Sequence, residues 1–416
     1  MVDPVVVAGG GIGGLAVALT CHQIGAEAIV LESAAELRPL GVGINLQPNA
    51  VRELEVLGFG SALAATGVAT RNYNMFSKHG GLIWSEPRGV AAGYRWPQYS
   101  IHRGHLQSML LAETRRRLGP SAVRVGSRVT SYRNEAGGVT VSVGDSGTLR
   151  ASVLVGADGI HSTVRAQMHP AEGEALWSGR LLWRATTVAP PYLDGATMVL
   201  SGHELTKFVS YPITPVDPAT GTAMLNWIAQ RTFDRWEGYR KEDYTREARV
   251  DDFLHAYDGW SFAWIDDLER LVRGAERIYE YPMVDRDPLE RWTDGRVSLL
   301  GDAAHVMYPV GSNGASQAIV DARKLGRAFL DHGVGPDALE AYEAEIRPAT
   351  TRMILTNRSA GPDHIMQIVE ERCGGRFDDI SDVMSRQELA DFAAGYKKTA
   401  GFAIDDLNAS PSIIPL

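Results

Sequence analysis

The stretch VVVAGGGIGGLAVALT, Val5 to Thr20, constrains this chain more than any other. A short apolar, β-branched run feeds a glycine-rich turn, after which Leu15, Ala18 and Leu19 recur at helical spacing, so the predicted order is strand, turn, helix. Gly9, Gly11 and Gly14 satisfy G-x-G-x-x-G, with Ile12 and Gly13 inside the motif. The first glycine permits a tight turn, the second lets the backbone approach a pyrophosphate, and the third packs the helix on its strand. Phosphates would then lie at the positive end of the helix. A second apolar run, AEAIVLES, ends in Glu32, 18 positions past Gly14. That is near the usual distance for a carboxylate that binds an unphosphorylated adenosine ribose. The pattern fits a dinucleotide, but alone it does not separate NAD from FAD.

Composition narrows the class. With 416 residues, 44% of them hydrophobic, the chain can bury more than one core, and two to three domains are expected. No apolar run reaches the roughly 18 residues of a membrane helix, and Asp3 rather than a basic region precedes the first strand, so the expected location is cytoplasmic. Two cysteines make neither a disulfide framework nor a metal set. The formal charge of −9 argues against a nucleic-acid partner.

The rest of the chain divides by texture. RPLGVGINLQPNAVRELEVLG reads as a loop entering a helix, with Val51, Leu54 and Leu57 on one face. YNMFSKHGGLIWSE reads as a hairpin about its Gly-Gly turn, and SIHRGHLQSMLLAETRRRLG as a helix stopped by Gly119-Pro120. Alternation from about 122 to 159 predicts a β-meander that ends in a buried strand, SVLVGADG. From Leu181 to Ala229, long aromatic-rich strands without intervening helices suggest an antiparallel sheet. Residues 245–275 read as helical, RVSLLGDAAH as a buried strand, and GASQAIVDARKLGRAFLDHG as an amphipathic helix. Leu339, Tyr342 and Ile346 keep helical register beyond Pro336, and the tail after Gly401 reads as a loose extension.

Three further motifs carry chemistry. GADGIHSTVR puts Asp158, Ser162 and Arg165 after a strand; LLGDAAHVMYPVGSNGASQAI puts Asp302 after another, with Pro309, Gly311, Asn313 and Gly314 leading into a helix; and SIHRGHLQ places Arg103 and Gln107 one turn apart. Together with the first glycine run, these resemble the single-component FAD-dependent aromatic hydroxylases of the p-hydroxybenzoate hydroxylase type, over roughly residues 4–355. The resemblance implies a Rossmann-like α/β FAD-binding domain (1–72, 97–175 and 280–335), an inserted antiparallel-sheet substrate domain (73–96 and 176–279) and a helical C-terminal region (336–416). It implies that the glycine turn cradles the ADP half of a resident FAD and that Asp302 binds a ribityl hydroxyl. It places Arg103 on the phosphates, with Gln107, Gly43 and Ile44 also at the cofactor, and associates Asp158 with both FAD and the reducing pyridine nucleotide. Glu32, Ser33 and Val129 would line the adenosine, Val129 through its backbone. Gly311 to Gly314 at a helix start would aim N–H groups and a positive dipole at a reduced, anionic flavin. The residues alone also allow Asp302 to be a helix cap and Asp158 to be a strand-end turn bonding its own backbone. Arg165 and Arg103 could each be solvated helix charges, His305 is given no chemistry, and DRDP at 285–288 reads as a turn with an ion pair.

For the substrate, the family resemblance points to the sheet. Trp183, Tyr211, Met224 and Trp227 lie on its strands and could sandwich a flat ligand, or they could be the sheet's own core; register decides. The implied activity is oxygenation of an aromatic or polycyclic small molecule by NAD(P)H and O2 through a C4a-hydroperoxyflavin, in secondary metabolism or aromatic catabolism. No second G-x-G-x-x-G is present, so NAD(P)H is expected as a transient co-substrate. A dehydrogenase or reductase of the same fold that does not use O2 productively, and a flavin-holding sensor, are the alternatives.

Overall fold

The computed structural model describes residues 3–39, 41–233, 246–265, 267–358, 364–399 and 404–415. Its nucleotide half is built on a six-stranded sheet. The order runs Thr293–Asp294, Val297–Leu299, Val153–Gly156, Val5–Ala8, Ala28–Leu31, Val123–Arg124, parallel except for the first pair. The three central runs are buried along their whole length, as strands covered on both faces must be. Helix Ile12–Gln23 is apolar nearly all round because it is enclosed. It packs against helices Arg103–Leu118 and Gly314–His332, and a Cβ on Gly326 would lie 2.2 Å from Thr20 Cγ2, so this crossing is set by glycine.

The meander Val129–Glu135, Gly138–Val143 and Thr148–Ala151 forms a separate three-stranded sheet. Its following strand, Val153–Gly156, enters the parallel sheet. The seven-stranded sheet runs Tyr279–Asp285, Leu176–Ala189, Ala223–Thr232, Thr206–Pro212, Thr197–Gly202, Asn72–Phe76, Leu82–Pro87. It is antiparallel except where the Asn72–Pro87 hairpin joins, pairing in parallel with Thr197–Gly202. Residues 280–285 therefore hydrogen-bond within this sheet and not within the nucleotide unit to which the sequence reading gives them.

Three further expectations are corrected. GVGINL is not a loop: Gly43–Leu46 is a strand paired with Gln98–His102, and the helix begins at Pro48. Within 245–275, only Leu268–Arg273 is α-helix, flanked upstream by short 3-10 turns at Val250–Asp252 and Leu254–Tyr257; positions 245 and 266 lie outside the described residues. The tail is docked, although its positions 401–403 and 416 lie outside the described residues. Helix Ile404–Ala409 is followed by a segment whose Ile413 N–H donates to Glu53 Oε1 (3.1 Å), while the Ile414 carbonyl accepts from Arg323 Nη2 (3.0 Å). Glu53 and Arg323 are themselves a fully buried ion pair at 3.2 Å, so the tail covers charges that could not be left open.

Candidate active site

The three strand-end motifs converge. Val5–Ala8, Val153–Gly156 and Val297–Leu299 are adjacent and parallel, so Gly9, Ala157 and Gly301 leave the sheet at the same carboxyl edge, where open α/β sheets bind ligands. The glycines of the first turn divide their work by geometry. Gly9 has φ +104° and a Cβ there would lie 2.3 Å from the Ala157 carbonyl oxygen; a Cβ on Gly14 would lie 2.0 Å from the Gly9 oxygen. A Cβ on Gly11 would meet no neighbouring atom within 4 Å, and the residue faces the cavity. Tight turn, open approach and close packing are thus at the positions the motif requires.

Neighbouring side chains hold this turn. Glu32 Oε2 accepts from Gly10 N (2.8 Å) and its Oε1 from Ala34 N (2.7 Å) and Ser33 Oγ (3.2 Å). Gln107 Nε2 donates to the Gly10 carbonyl at 2.8 Å, so its amide positions the loop. Val129 is buried and does not line the cavity.

Asp158 is satisfied within its own turn. Its carboxylate accepts from Ser162 Oγ, Thr163 N (2.8 Å) and Val164 N (3.3 Å), at the start of helix Thr163–Met168, and does not line the cavity. Burial holds its carboxyl above the usual carboxylate range, against the lowering effect of these bonds. The strand-end turn is the role the geometry supports.

Asp302 differs. It is the first residue of helix Asp302–His305, makes no capping bond, and presents an exposed carboxylate to the cavity with no hydrogen-bond partner among the described residues. The turn before it is held by Asp321, which accepts from Gly301 N (3.2 Å), His305 Nε2 (2.5 Å) and Gln317 Nε2 (2.8 Å). His305 is a packed residue: burial opposes its charge, the Asp321 carboxylate favours it, and the net effect is a raised pKa. Arg165 is not a solvated charge. It is buried, donates to the carbonyls of Ala303 (3.0 Å) and Ala304 (3.1 Å), and pairs with Glu172, so it fixes the Asp302 helix to the Asp158 motif. The DRDP turn pairs with a distant residue: Asp285 and Asp287 both bind Arg358.

Pro309, Gly311 and Gly314 line the cavity while Asn313 does not. The loop is strained at Ser312, φ +57°, and is held from strand Gly43–Leu46 and its end. Gln47 Nε2 donates to the Gly311 carbonyl (3.2 Å) and Gln47 N to Ser316 Oγ (2.9 Å). Gly43, Ile44 and Arg103 also line the cavity, which has a volume of about 460 Å³.

Register decides the opposite wall. Trp183 and Trp227 point to the sheet's other face, where Trp183 stacks on Phe253 (4.8 Å between centroids) and Trp227 Nε1 donates to Thr187 Oγ1 (3.0 Å); both belong to that core. Met224 does not line the cavity. Tyr211 does, but its hydroxyl donates to the Gly43 carbonyl at 3.0 Å, and burial pushes its pKa up to about 12. The face that meets the cavity carries Leu182 and Arg184, one position either side of Trp183, Ile228 and Gln230, on the face opposite Trp227, and Lys207 and Val209, on the same face as Tyr211. Nothing in the sequence marked them, because alternation fixes two faces without saying which is which.

The cradle fits FAD. Gly11 leaves the backbone open where a pyrophosphate would pass, Asp302 offers an unpartnered acceptor to a sugar hydroxyl, and helix Gly314–His332 begins at the cavity wall. Fold and cradle define a flavin-dependent oxidoreductase. The chain belongs to the FAD binding domain family, whose model matches residues 3–356, and it is an FAD-dependent aromatic monooxygenase. It is 45% identical over 362 residues to phenazine 1,6-dicarboxylic acid hydroxylase PhzS of Lysobacter antibioticus, covering 85% of this chain and 89% of that one. It is 30% identical to 3-hydroxybenzoate 6-hydroxylase 1 of Aquipseudomonas alcaligenes, covering 86% and 89%. The fold matches Klebsiella pneumoniae HpxO complexed with FAD and uric acid, with a TM-score of 0.73 at 22% identity over 98% of this chain and 96% of that one. A salicylate hydroxylase substrate complex matches with a TM-score of 0.72 at 22% identity, over 99% of each chain. Among the described residues no helix is long and apolar enough to cross a membrane, and no cluster of metal-ligating side chains is present.

Asp302→Ala is expected to weaken FAD retention about 10- to 100-fold, the usual worth of a hydrogen bond to a charged group. Flavin content after dialysis checks this; a well-folded variant with full occupancy would reduce Asp302 to a turn residue.

Proposed function

We propose that this protein uses NAD(P)H and O2 to hydroxylate a fused-ring aromatic molecule held between the seven-stranded sheet and the FAD cradle. The observation that carries the reading is that a single cavity has Gly11, Asp302 and Gly314 on one side and the aliphatic row Leu200, Val209 and Ile228 on the other. The phenazine acted on by the 45% identical relative supports a fused-ring substrate. Bound FAD would supply the hydride acceptance and oxygen activation that no side chain here can perform.

The protein's own part is placement. Glu32 and Gln107 fix the N–H and carbonyl of Gly10, so the turn is preorganised before the cofactor arrives. Asp302 would hold the ribityl chain, and the first N–H groups of helix Gly314–His332, at Gly314 and Ala315, would stabilise negative charge near the ring system. Leu200, Val209 and Ile228 exclude water from the reacting face. With one G-x-G-x-x-G assigned to FAD, NAD(P)H would dock only transiently, and productive consumption would depend on bound substrate.

The purified yellow protein, supplied with labelled O2 and NAD(P)H, is expected to place one labelled oxygen atom in an aromatic product, and substrate should speed NAD(P)H consumption at least tenfold. Turnover with a dye acceptor and no label would favour a dehydrogenase. Tight flavin with no NAD(P)H oxidation in any mixture would favour a sensor.

A further inference from the structure

Ser312 lines the cavity with a backbone that side chains avoid. Its φ is +57° and that of Gly311 is +75°, so two left-handed residues stand in succession just before helix Gly314–His332. Glycine adopts this conformation freely, and non-glycine residues held in it gather at functional sites. Ser312 Oγ accepts from Asn45 Nδ2 at 3.4 Å, and its own hydrogen has no acceptor among the described residues.

The direction of that bond is set from behind. Asn45, on strand Gly43–Leu46, stands directly opposite Ser100 on Gln98–His102, which pairs in turn with Val68–Thr70, so a small antiparallel sheet backs the loop. Ser100 Oγ donates to Asn45 Oδ1 at 2.6 Å and lies 2.8 Å from Thr70 Oγ1, and all three side chains are buried. Asn45 Nδ2 also faces Met198 Sδ at 3.8 Å, and a thioether can only accept. The amide nitrogen therefore lies toward Met198 and Ser312 and the amide oxygen toward Ser100. With its hydrogen spent on Asn45, Ser100 must accept from Thr70. The hydrogens run one way, from Thr70 to Ser100 to Asn45 to Ser312, and the last hydroxyl is left to donate into the cavity.

We propose that the Ser312 hydroxyl donates a hydrogen bond to the ring system of bound FAD, and that Thr70, Ser100 and Asn45 are positioning residues that keep it a donor. The inference rests on the hydroxylase reading, which puts the ring system at the start of helix Gly314–His332, and goes beyond it. Backbone N–H groups there are supplied by the fold, whereas this donor depends on one side chain and on the buried chain behind it. The ring system gains negative charge on two-electron reduction, so a donor bonded to it holds the reduced form more tightly than the oxidised one. A hydroxyl already turned the right way needs no reorganisation when that charge appears.

The test is the two-electron reduction potential of bound FAD in the substrate-free protein, read by equilibration with a reference dye. Ser312→Ala and Ser312→Gly are both expected to weaken the hold on reduced relative to oxidised FAD about tenfold, which lowers the potential by about 30 mV for a two-electron couple. Ser312→Gly suits the positive φ and keeps the test open if Ser312→Ala does not fold. Ser100→Ala leaves Asn45 Oδ1 without its donor, so the Ser312 hydrogen can turn back to it, and the potential should fall in the same direction. An unchanged potential in flavin-replete Ser312→Gly would overturn the proposal, and a fall confined to Ser312→Ala would trace the effect to the backbone instead. A normal potential in Ser100→Ala would remove the buried chain from the account. An unchanged potential with labelled oxygen still entering an aromatic product rejects this assignment only; absence of label from every product of the unsubstituted protein rejects the hydroxylase reading itself.

Discussion

Gly11→Val is expected to yield a protein that folds yet emerges nearly colourless, whereas Gly14→Val should fail to accumulate as folded protein. Both residues belong to one motif, but a Cβ on Gly11 meets no protein atom within 4 Å, while a Cβ on Gly14 would sit 2.0 Å from the Gly9 carbonyl oxygen. The valine at Gly11 would occupy only the space where the pyrophosphate passes. Overpacking of 1–3 kcal/mol corresponds to roughly a 5- to 150-fold loss of FAD affinity. Circular dichroism and flavin absorbance on the same sample check the pair. A yellow Gly11→Val protein would make the turn a packing device, and a stable Gly14→Val protein would refute the close approach of helix and strand.

Arg165→Met is expected to cost about 3–5 kcal/mol of stability, the usual penalty for breaking a buried ion pair by removing one partner. It leaves Glu172 with only the longer contact to Arg286, at 3.7 Å, and removes the donors to Ala303 and Ala304. Because those carbonyls belong to the helix that begins at Asp302, FAD retention should fall with stability, and denaturant unfolding followed by flavin fluorescence reads both. A loss of less than 1 kcal/mol would show that the site does not depend on this tie.

The cradle was legible in the sequence because each of its demands is local. A glycine turn must have glycine where φ is positive or where a Cβ would collide, so Gly9, Gly11 and Gly14 declare their roles in order. Asp302 was legible as a candidate, and its role as an unpartnered acceptor could be separated from a cap only by its geometry. The sheet wall of the cavity was not legible, because a strand with large residues on both faces gives no sign of which face meets the cavity. Trp183 and Trp227 drew attention by size, while Lys207 and Gln230, smaller and polar, stand on the side that matters. Asp321, Arg165 and the docked tail were hidden for another reason: their partners His305, Ala303 and Glu53 lie 16, 138 and 360 residues away in sequence, beyond any periodicity.

Gly43 shows how the two halves are joined. Its N–H donates to Asn226 Oδ1 (2.7 Å), and its carbonyl accepts from Tyr211 and Arg184, so one residue's backbone is riveted to three side chains of the opposing sheet. A Cβ there would lie 2.6 Å from Asn226 Cβ. Prying the sheets apart would break all three bonds at once, which leaves the strained loop at Ser312 as the more compliant wall. The same rivet separates mechanical duty from chemical choice: Leu182, Val209 and Ile228 can be exchanged to reshape the cavity without loosening the joint. A scaffold so divided can acquire new substrates by surface substitutions on one sheet face while its cofactor seat stays unchanged.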